Sequence, residues 1–168
     1  LIQEELPGMR VSLSSEVLPE IKEYERTITT VVNAYVLPTV SKYLLRLEQE
    51  LHRSNVRSDL YIMQSNGGVM TAATATQKSV HTILSGPAAG AIAAMRIGMK
   101  VGFENLISID MGGTSADVAL THAGKLTYAK ESQVSGHVIK VPTIDIHAVG
   151  AGGGSIVRVD DAGQLHVG

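Results

Sequence analysis

The segment that most constrains this chain is residues 107–120, in which two apolar runs flank a glycine-rich turn. The first run carries Asp110 just before the turn, and the second run carries Asp117 just after it. Apolar runs on both sides of a short glycine turn predict a β-hairpin. Glycines let backbone N–H groups approach an anion closely, hydroxyls add donors, and carboxylates can hold a hydrated Mg²⁺. The turn is therefore a candidate phosphate site, and an ordinary hairpin turn is the alternative.

A second glycine-rich segment, residues 149–156, reads Val-Gly-Ala-Gly-Gly-Gly-Ser-Ile. A flexible linker can have the same composition. The segment lies between two apolar stretches that are predicted to be strands, and this position favours a phosphate or substrate loop.

The composition excludes several classes of function. Aromatic residues make up only 4% of the chain and there are 17 glycines, so the core must be aliphatic and closely packed. A net charge of −2 gives no electrostatic signature for binding nucleic acid or an anionic membrane. The absence of cysteine excludes disulfides, thiol catalysis and cysteine-based zinc sites, and it fits a reducing cytoplasm. No apolar run approaches the ~20 residues of a membrane span, and no signal-peptide pattern is present.

Hydrophobic periodicity predicts an α/β chain. The predicted helices are residues 27–53, interrupted or kinked at Pro38, and residues 72–77 and 88–99. The predicted strands are residues 9–13, 60–64, 80–84, 106–109, 116–121, 125–130, 137–146 and 155–159. The apolar side of the long helix is predicted to carry Val31, Tyr35, Leu44, Leu45, Leu47 and Leu51.

Helices and strands alternate in the first hundred residues, and strands dominate afterwards. We therefore expect residues 1–102 to form the end of one α/β lobe with a connecting helix, and residues 103–168 to form the start of a second lobe. The chain opens on Leu1 and closes on a strand-like segment, so it is expected to be a piece of a longer protein.

Five motifs occur in order along nearly the whole chain, in residues 14–26, 63–68, 84–90, 107–120 and 145–155. Together they resemble the hydantoinase A/oxoprolinase family, within the actin-like ATPase superfamily. The resemblance implies an actin-like ATPase (ribonuclease H-like) fold. In heat-shock chaperones of that superfamily a third glycine stands where this chain has Thr114, so a slightly different turn is expected here.

The resemblance implies a subunit of an ATP-dependent hydrolase that opens cyclic amides such as hydantoin, N-methylhydantoin or oxoproline. The family is thought to phosphorylate the carbonyl oxygen of its substrate, with ATP and Mg²⁺ as cofactors and often with a second subunit or domain. Acetone and acetophenone carboxylases are relatives. A small-molecule kinase and a nucleotide-switched binding or assembly module are alternatives within the superfamily, and a homo-oligomer is possible.

The resemblance also implies roles for particular residues. Asp110 is expected at the end of a strand, where it serves catalysis and orders Mg²⁺, with Asp117 as a second metal or turn-stabilising carboxylate. Asp145 and His147, at positions i and i+2 of one strand face, are expected to bind metal or to act as a base and its orienting group, with a structural pair as the alternative. The residues expected to contact the nucleotide are Gly112, Gly113, Thr114, Ser115, Gly152, Gly153 and Gly154. Those expected to contact the substrate, or to form a plain turn, are Asn66, Gly67 and Gly68.

Overall fold

The computed structural model describes residues 1–134 and 136–168. The described chain divides into two compact units, one of Leu1–Ser85 with Ala129–Thr143 and the other of Gly86–Tyr128 with Ile144–Gly168. The chain therefore passes between the units three times. The predicted division after residue 102 stays a prediction about the lobes of the complete protein, since these units divide the chain differently.

Five α-helices and one 3₁₀ helix are present in the described residues. The α-helices are α1 (Ile2–Glu5), α2 (Ser14–Val17), α3 (Glu23–Arg53), α4 (Ala72–Ala75) and α5 (Ser85–Lys100), and the 3₁₀ helix is Ser79–Thr82. The first strands are β1 (Tyr61–Met63), β2 (Val69–Thr71), β3 (Leu106–Met111), β4 (Ala116–His122), β5 (Lys125–Leu126) and β6 (Tyr128–Ala129). The others are β7 (Ser132–Val134), β8 (His137–Ile139), β9 (Thr143–Ile144), β10 (Ile146–Val149), β11 (Val157–Val159) and β12 (Leu165–Val167). Among the described residues, no helix combines the length and the apolar character that crossing a bilayer requires.

Helix α3 organises the first unit. Its buried residues recur every three or four positions and form one stripe: Thr29, Asn33, Leu37, Ser41 and Leu44. Two apolar clusters lie in this unit, one formed by Val17, Val80, Ile139 and Val141 and the other by Leu44, Met70 and Ala75.

The buried stripe of α3 is partly polar because its side chains replace missing backbone partners. The Asn33 amide donates to the Gln77 carbonyl at 2.9 Å and accepts from the Val80 N–H at 3.0 Å. The Thr29 hydroxyl accepts from the Lys140 N–H at 3.0 Å. These polar side chains therefore join α3 to segments that are distant in sequence.

The predicted apolar side of α3 is only partly correct. Leu44 is 3% exposed, as expected, but Tyr35 is 84%, Val31 57% and Leu45 51% exposed. The prediction was wrong at these three positions because the polar residues Thr29, Asn33 and Ser41 lie on the buried face beside Leu37 and Leu44.

Two predicted strands are absent. Residues 9–13 form no strand, and residues 80–84, predicted as a strand, overlap the 3₁₀ helix Ser79–Thr82. The Ser79 hydroxyl donates to the Ala75 carbonyl at 2.8 Å, and the Thr82 hydroxyl donates to the Ser79 carbonyl at 2.7 Å. These local bonds favour a helical turn over a β-ladder.

The strand predicted over residues 137–146 is broken into β8, β9 and the start of β10. Pro142 has no N–H to donate to a ladder. The N–H of Lys140 donates to the side chain of Thr29 and not to a neighbouring strand. The strand predicted over residues 125–130 is likewise split, into β5 and β6.

His81 gives the first unit a pH dependence. Burial lowers the pKa of its imidazole below the usual 6.5, and the nearby Lys78 ammonium lowers it further. The unfolded chain therefore binds the proton more tightly, so the contribution of His81 to stability is complete above about pH 6.5 and is lost as the pH falls below that value. We expect the melting temperature of the complete protein to fall less between pH 7.5 and pH 5.5 in His81→Gln than in the wild type.

The exposed His122 supplies the control for this measurement. His122→Gln should keep the pH dependence of the wild type. Equal pH dependence in His81→Gln and the wild type would contradict the assignment.

Candidate phosphate site

Three antiparallel strands of the second unit carry the candidate site, in the order β10-β4-β3. Asp110 of β3 lies directly opposite Asp117 of β4, and Asp117 lies opposite Ala148 of β10. Residues that lie opposite each other in antiparallel strands share one face of the sheet. The two carboxylates therefore project from the same face, next to the end of the hairpin, as the prediction of a hairpin at residues 107–120 requires.

Helix α5 covers the face that carries the two carboxylates. The apolar core between the helix and the strands consists of Ala88, Ala91, Ala119, Leu126 and Ile144. Near the end of the hairpin this packing leaves a cavity of about 160 Å³, lined by Gly90 and Ala94 of the helix and by Ser108, Asp110 and Asp117 of the strands. The small side chains of α5 thus bring the helix close to the sheet while leaving space at the carboxylates.

Gly90 is the residue of α5 that leaves room for Asp110. A Cβ atom placed on Gly90 would lie 3.6 Å from the Asp110 Oδ2 atom, at van der Waals contact. A larger side chain at this position would extend into the space beside the carboxylate. The run of small residues in α5 is visible in the sequence, but the relation of Gly90 to Asp110 is not, because that relation depends on how the helix packs on the sheet.

The turn at residues 112–115 closes the hairpin between β3 and β4. The N–H of Gly112 donates to the Ser115 carbonyl at 2.9 Å. Within the described part of the chain, the N–H groups of Gly113 and Thr114 donate to no protein acceptor. Exposed amides at a glycine turn can bind an oxyanion.

The loop at residues 150–155, which follows β10, lies directly against this turn. The N–H of Gly153 donates to the Gly112 carbonyl at 2.9 Å, and the N–H of Gly154 donates to the Gly113 carbonyl at 2.8 Å. The N–H of Gly152 donates to the Ser155 hydroxyl at 3.0 Å. The structure therefore brings the two predicted glycine segments together, and the second is hydrogen-bonded to the hairpin instead of forming a free linker.

Asp145 and His147 lie together but apart from the carboxylate pair. The His147 Nε2 atom is 3.8 Å from the Asp145 Oδ1 atom, and the His147 side chain is 81% exposed. His147 lies opposite Val118 in the sheet, and Val118 lies opposite Ile109. The alternation of strand side chains therefore places His147 on the face opposite to Asp110 and Asp117. A catalytic or metal role for Asp145 and His147 stays a prediction.

Asn66, Gly67 and Gly68 form the turn between β1 and β2 in the first unit. The N–H of Gly68 donates to the Asn66 side chain at 2.8 Å, and Gly67 has a φ of 82°, which favours glycine. Their contact with a substrate stays a prediction.

Ser65, just before this turn, was not singled out from the sequence. Its side chain is almost fully buried, and its hydroxyl contacts the carbonyl oxygens of His81 and Ile83. The hydroxyl therefore fixes the turn to the segment that leads into α5. A small polar residue next to an Asn-Gly-Gly turn was the signal available in the sequence, but its partners are distant along the chain.

The side chains at the end of the hairpin fit Mg²⁺ bound together with phosphate. Carboxylate oxygens are hard ligands, and Mg²⁺ is commonly held by one or two carboxylates together with phosphate oxygens and water. Nowhere in the described residues do three or more His, Asp or Glu side chains group to form a metal site. The pair Asp110 and Asp117 therefore fits an ion that arrives with a nucleotide better than an ion held by protein ligands alone.

Comparison with solved structures defines the class of the fold. The nucleotide-free structure of acetone carboxylase, described for ATP-dependent acetone carboxylation, matches with a TM-score of 0.77 and 31% sequence identity, over 92% of this chain and 22% of that one. The chain has the α/β actin-like ATPase fold.

The chain belongs to the hydantoinase/oxoprolinase family, whose family model matches residues 26–168. It is 38% identical to caprolactamase subunit alpha of Pseudomonas jessenii, over 100% of this chain and 24% of the relative. It is also 38% identical to 5-oxoprolinase of Saccharomyces cerevisiae, over 93% of this chain and 12% of the relative. The chain therefore spans a quarter or less of the length of these relatives.

Proposed function

We propose that this chain supplies one phosphate-binding hairpin of an ATP-dependent enzyme that opens cyclic amides. The observation that carries the proposal is the end of the β3–β4 hairpin, where unpaired amides of the turn lie next to two carboxylates on one face of the sheet. Amide donors suit phosphate oxygens, and carboxylates suit Mg²⁺. The phosphate oxygens and the Mg²⁺ ion thus both have suitable partners at the end of this hairpin.

The residues of this chain have separate tasks in the proposal. The turn at residues 112–115 binds phosphate oxygens through its amides and hydroxyls, and Asp110 and Asp117 hold the waters of Mg²⁺. When bound, ATP supplies the phosphoryl group that activates an amide carbonyl oxygen. Helix α5 covers the two carboxylates, and its small residues set the distance between the helix and these carboxylates. Asp145 and His147 would act from the other face of the sheet, and residues 66–68 would contact substrate.

The substrate class and the partner rest on the relatives. Caprolactamase and 5-oxoprolinase are named for compounds that contain a cyclic amide. The caprolactamase relative is a subunit, which supports a second subunit as partner for the complete protein.

The likeness to acetone carboxylase supports a second candidate function, ATP-dependent carboxylation of a ketone. Both functions require a carbonyl oxygen to be activated before a new bond is made at carbon. The two differ in the co-reactant, which is water for ring opening and bicarbonate for carboxylation.

The complete protein, together with any subunit that co-purifies with it, should hydrolyse ATP faster when a cyclic amide is present. We expect ADP and ring-opened product to form in equal amounts from 5-oxoproline, hydantoin or caprolactam, without bicarbonate. ADP release and product formation are measured in the same reaction by chromatography.

Stimulation only by acetone with bicarbonate would support carboxylation, and accumulation of a stable phosphorylated substrate would indicate a kinase. ATP hydrolysis that no substrate stimulates would contradict both proposed functions.

A further inference from the structure

We infer that Gly152 and Gly154 are positioning residues, which hold the turn at residues 112–115 so that the N–H groups of Gly113 and Thr114 are its anion donors. On this inference the amides of Gly153 and Gly154 do not bind phosphate. The inference deepens the proposed function and rests on it for the identity of the anion.

The peptide groups of the turn have a defined direction. The described peptide bonds are trans, so each carbonyl points opposite to the N–H of the next residue. The carbonyls of Gly112 and Gly113 both point at the loop, where they accept from Gly153 and Gly154. The N–H groups that follow them, those of Gly113 and Thr114, must therefore point away from the loop.

The loop amides of residues 152–155, which meet the turn, are already used as donors. The N–H groups of Gly153 and Gly154 are used by the turn, and that of Ser155 donates to the Gly152 carbonyl at 2.9 Å. A bound phosphate would have to break these bonds to reach the same amides.

The loop at residues 150–155 also lies very close to the turn at residues 112–115. A Cβ atom on Gly152 would lie 2.7 Å from the Gly113 carbonyl carbon and 2.7 Å from the Thr114 nitrogen. A Cβ atom on Gly154 would lie 3.0 Å from the Gly113 carbonyl oxygen. These neighbours are backbone atoms, so a side chain at Gly152 must displace either the turn or the loop that holds it. By contrast, a Cβ atom on Gly150 in the same loop would meet nothing within 4 Å.

The test compares alanine substitutions at these three glycines in the complete protein. Calorimetry with Mg·ATP should give a dissociation constant raised at least about tenfold in Gly152→Ala, less in Gly154→Ala and unchanged in Gly150→Ala, because small displacements of binding groups cost much of their effect. The dissociation constants of the three variants should rank by how closely the new Cβ atom approaches the turn. They should not rank by melting temperature, which is measured in parallel without nucleotide. Binding by Gly152→Ala within twofold of the wild type would overturn the inference and leave the proposed function standing.

Hydrogen exchange of single amides in the free wild-type protein tests the same geometry without nucleotide. The amides of Gly153 and Gly154 should exchange slowly, and those of Gly113 and Thr114 should exchange rapidly until Mg·ATP is added. The opposite pattern in the free protein would overturn the inference. If the wild type binds no Mg·ATP, the proposed function fails, and the exchange pattern of the free protein alone decides whether the loop positions the turn.

Discussion

Asp110→Asn in the complete enzyme should lower the rate of ATP hydrolysis by at least about 100-fold, because removal of one group that stabilises developing charge typically costs that much. The amide of asparagine has the shape of the carboxylate but carries no charge, so it holds the waters of Mg²⁺ poorly. Asp110 lies at the end of β3 opposite Asp117, beside the cavity that faces α5. The rate is measured under saturating Mg·ATP and substrate, which separates turnover from affinity.

Asp161→Asn is the matched control for this experiment. Asp161 is an exposed carboxylate between β11 and β12, in the same unit but away from the hairpin of β3 and β4. It should retain the turnover of the wild type, and the melting temperatures of all three proteins should agree closely. Activity of Asp110→Asn near that of the wild type would remove Asp110 from the site.

The hairpin was predictable from the sequence because its determinants are local. Glycines at the turn and apolar alternation on both sides define β3 and β4 within a few residues, and the structure has them at Leu106–Met111 and Ala116–His122. Helix α5 was predictable for the same reason, since its small residues and the early Pro87 lie in one continuous run. The family followed from five such local motifs in order, and it is confirmed.

The relation between the two glycine segments was not predictable, because it depends on sheet register. The pairing of β10 with β4, with Val149 opposite Ala116, is what brings the loop after β10 onto the turn after β3. The same register separates His147 from Asp110 by placing them on opposite faces. Spacing of i and i+2 shows that Asp145 and His147 share a face, but not which face of the sheet it is.

The buried face of α3 was mispredicted for a different reason. Hydrophobic periodicity assumes that the interior receives aliphatic side chains, and in α3 it receives Thr29, Asn33 and Ser41 as well as two leucines. Asn33 is buried because irregular segments around Gln77 and Val80 need hydrogen-bond partners that no strand supplies. That requirement arises from distant parts of the chain, so no local pattern in α3 could reveal it.

Asn33→Ala should destabilise the first unit by about 1–3 kcal/mol, because it leaves the buried N–H of Val80 without a partner. The donor to the carbonyl of the exposed Gln77 is also lost, but water can replace it. Asn33 is 0% and Val80 1% exposed, so water cannot replace the lost partner of Val80 without opening the structure. Amides of residues 77–83 should then exchange roughly 5- to 150-fold faster, since each 1.4 kcal/mol corresponds to a factor of ten. Hydrogen exchange in the complete protein measures this opening directly, whether or not the whole chain unfolds in one step.

Thr39→Ala, which removes an exposed hydroxyl from the same helix, should leave these rates within about threefold of the wild type, as is usual for surface substitutions. If exchange in Asn33→Ala matched that in Thr39→Ala, the buried side chain of Asn33 would have no part in joining α3 to the segment that leads into α5.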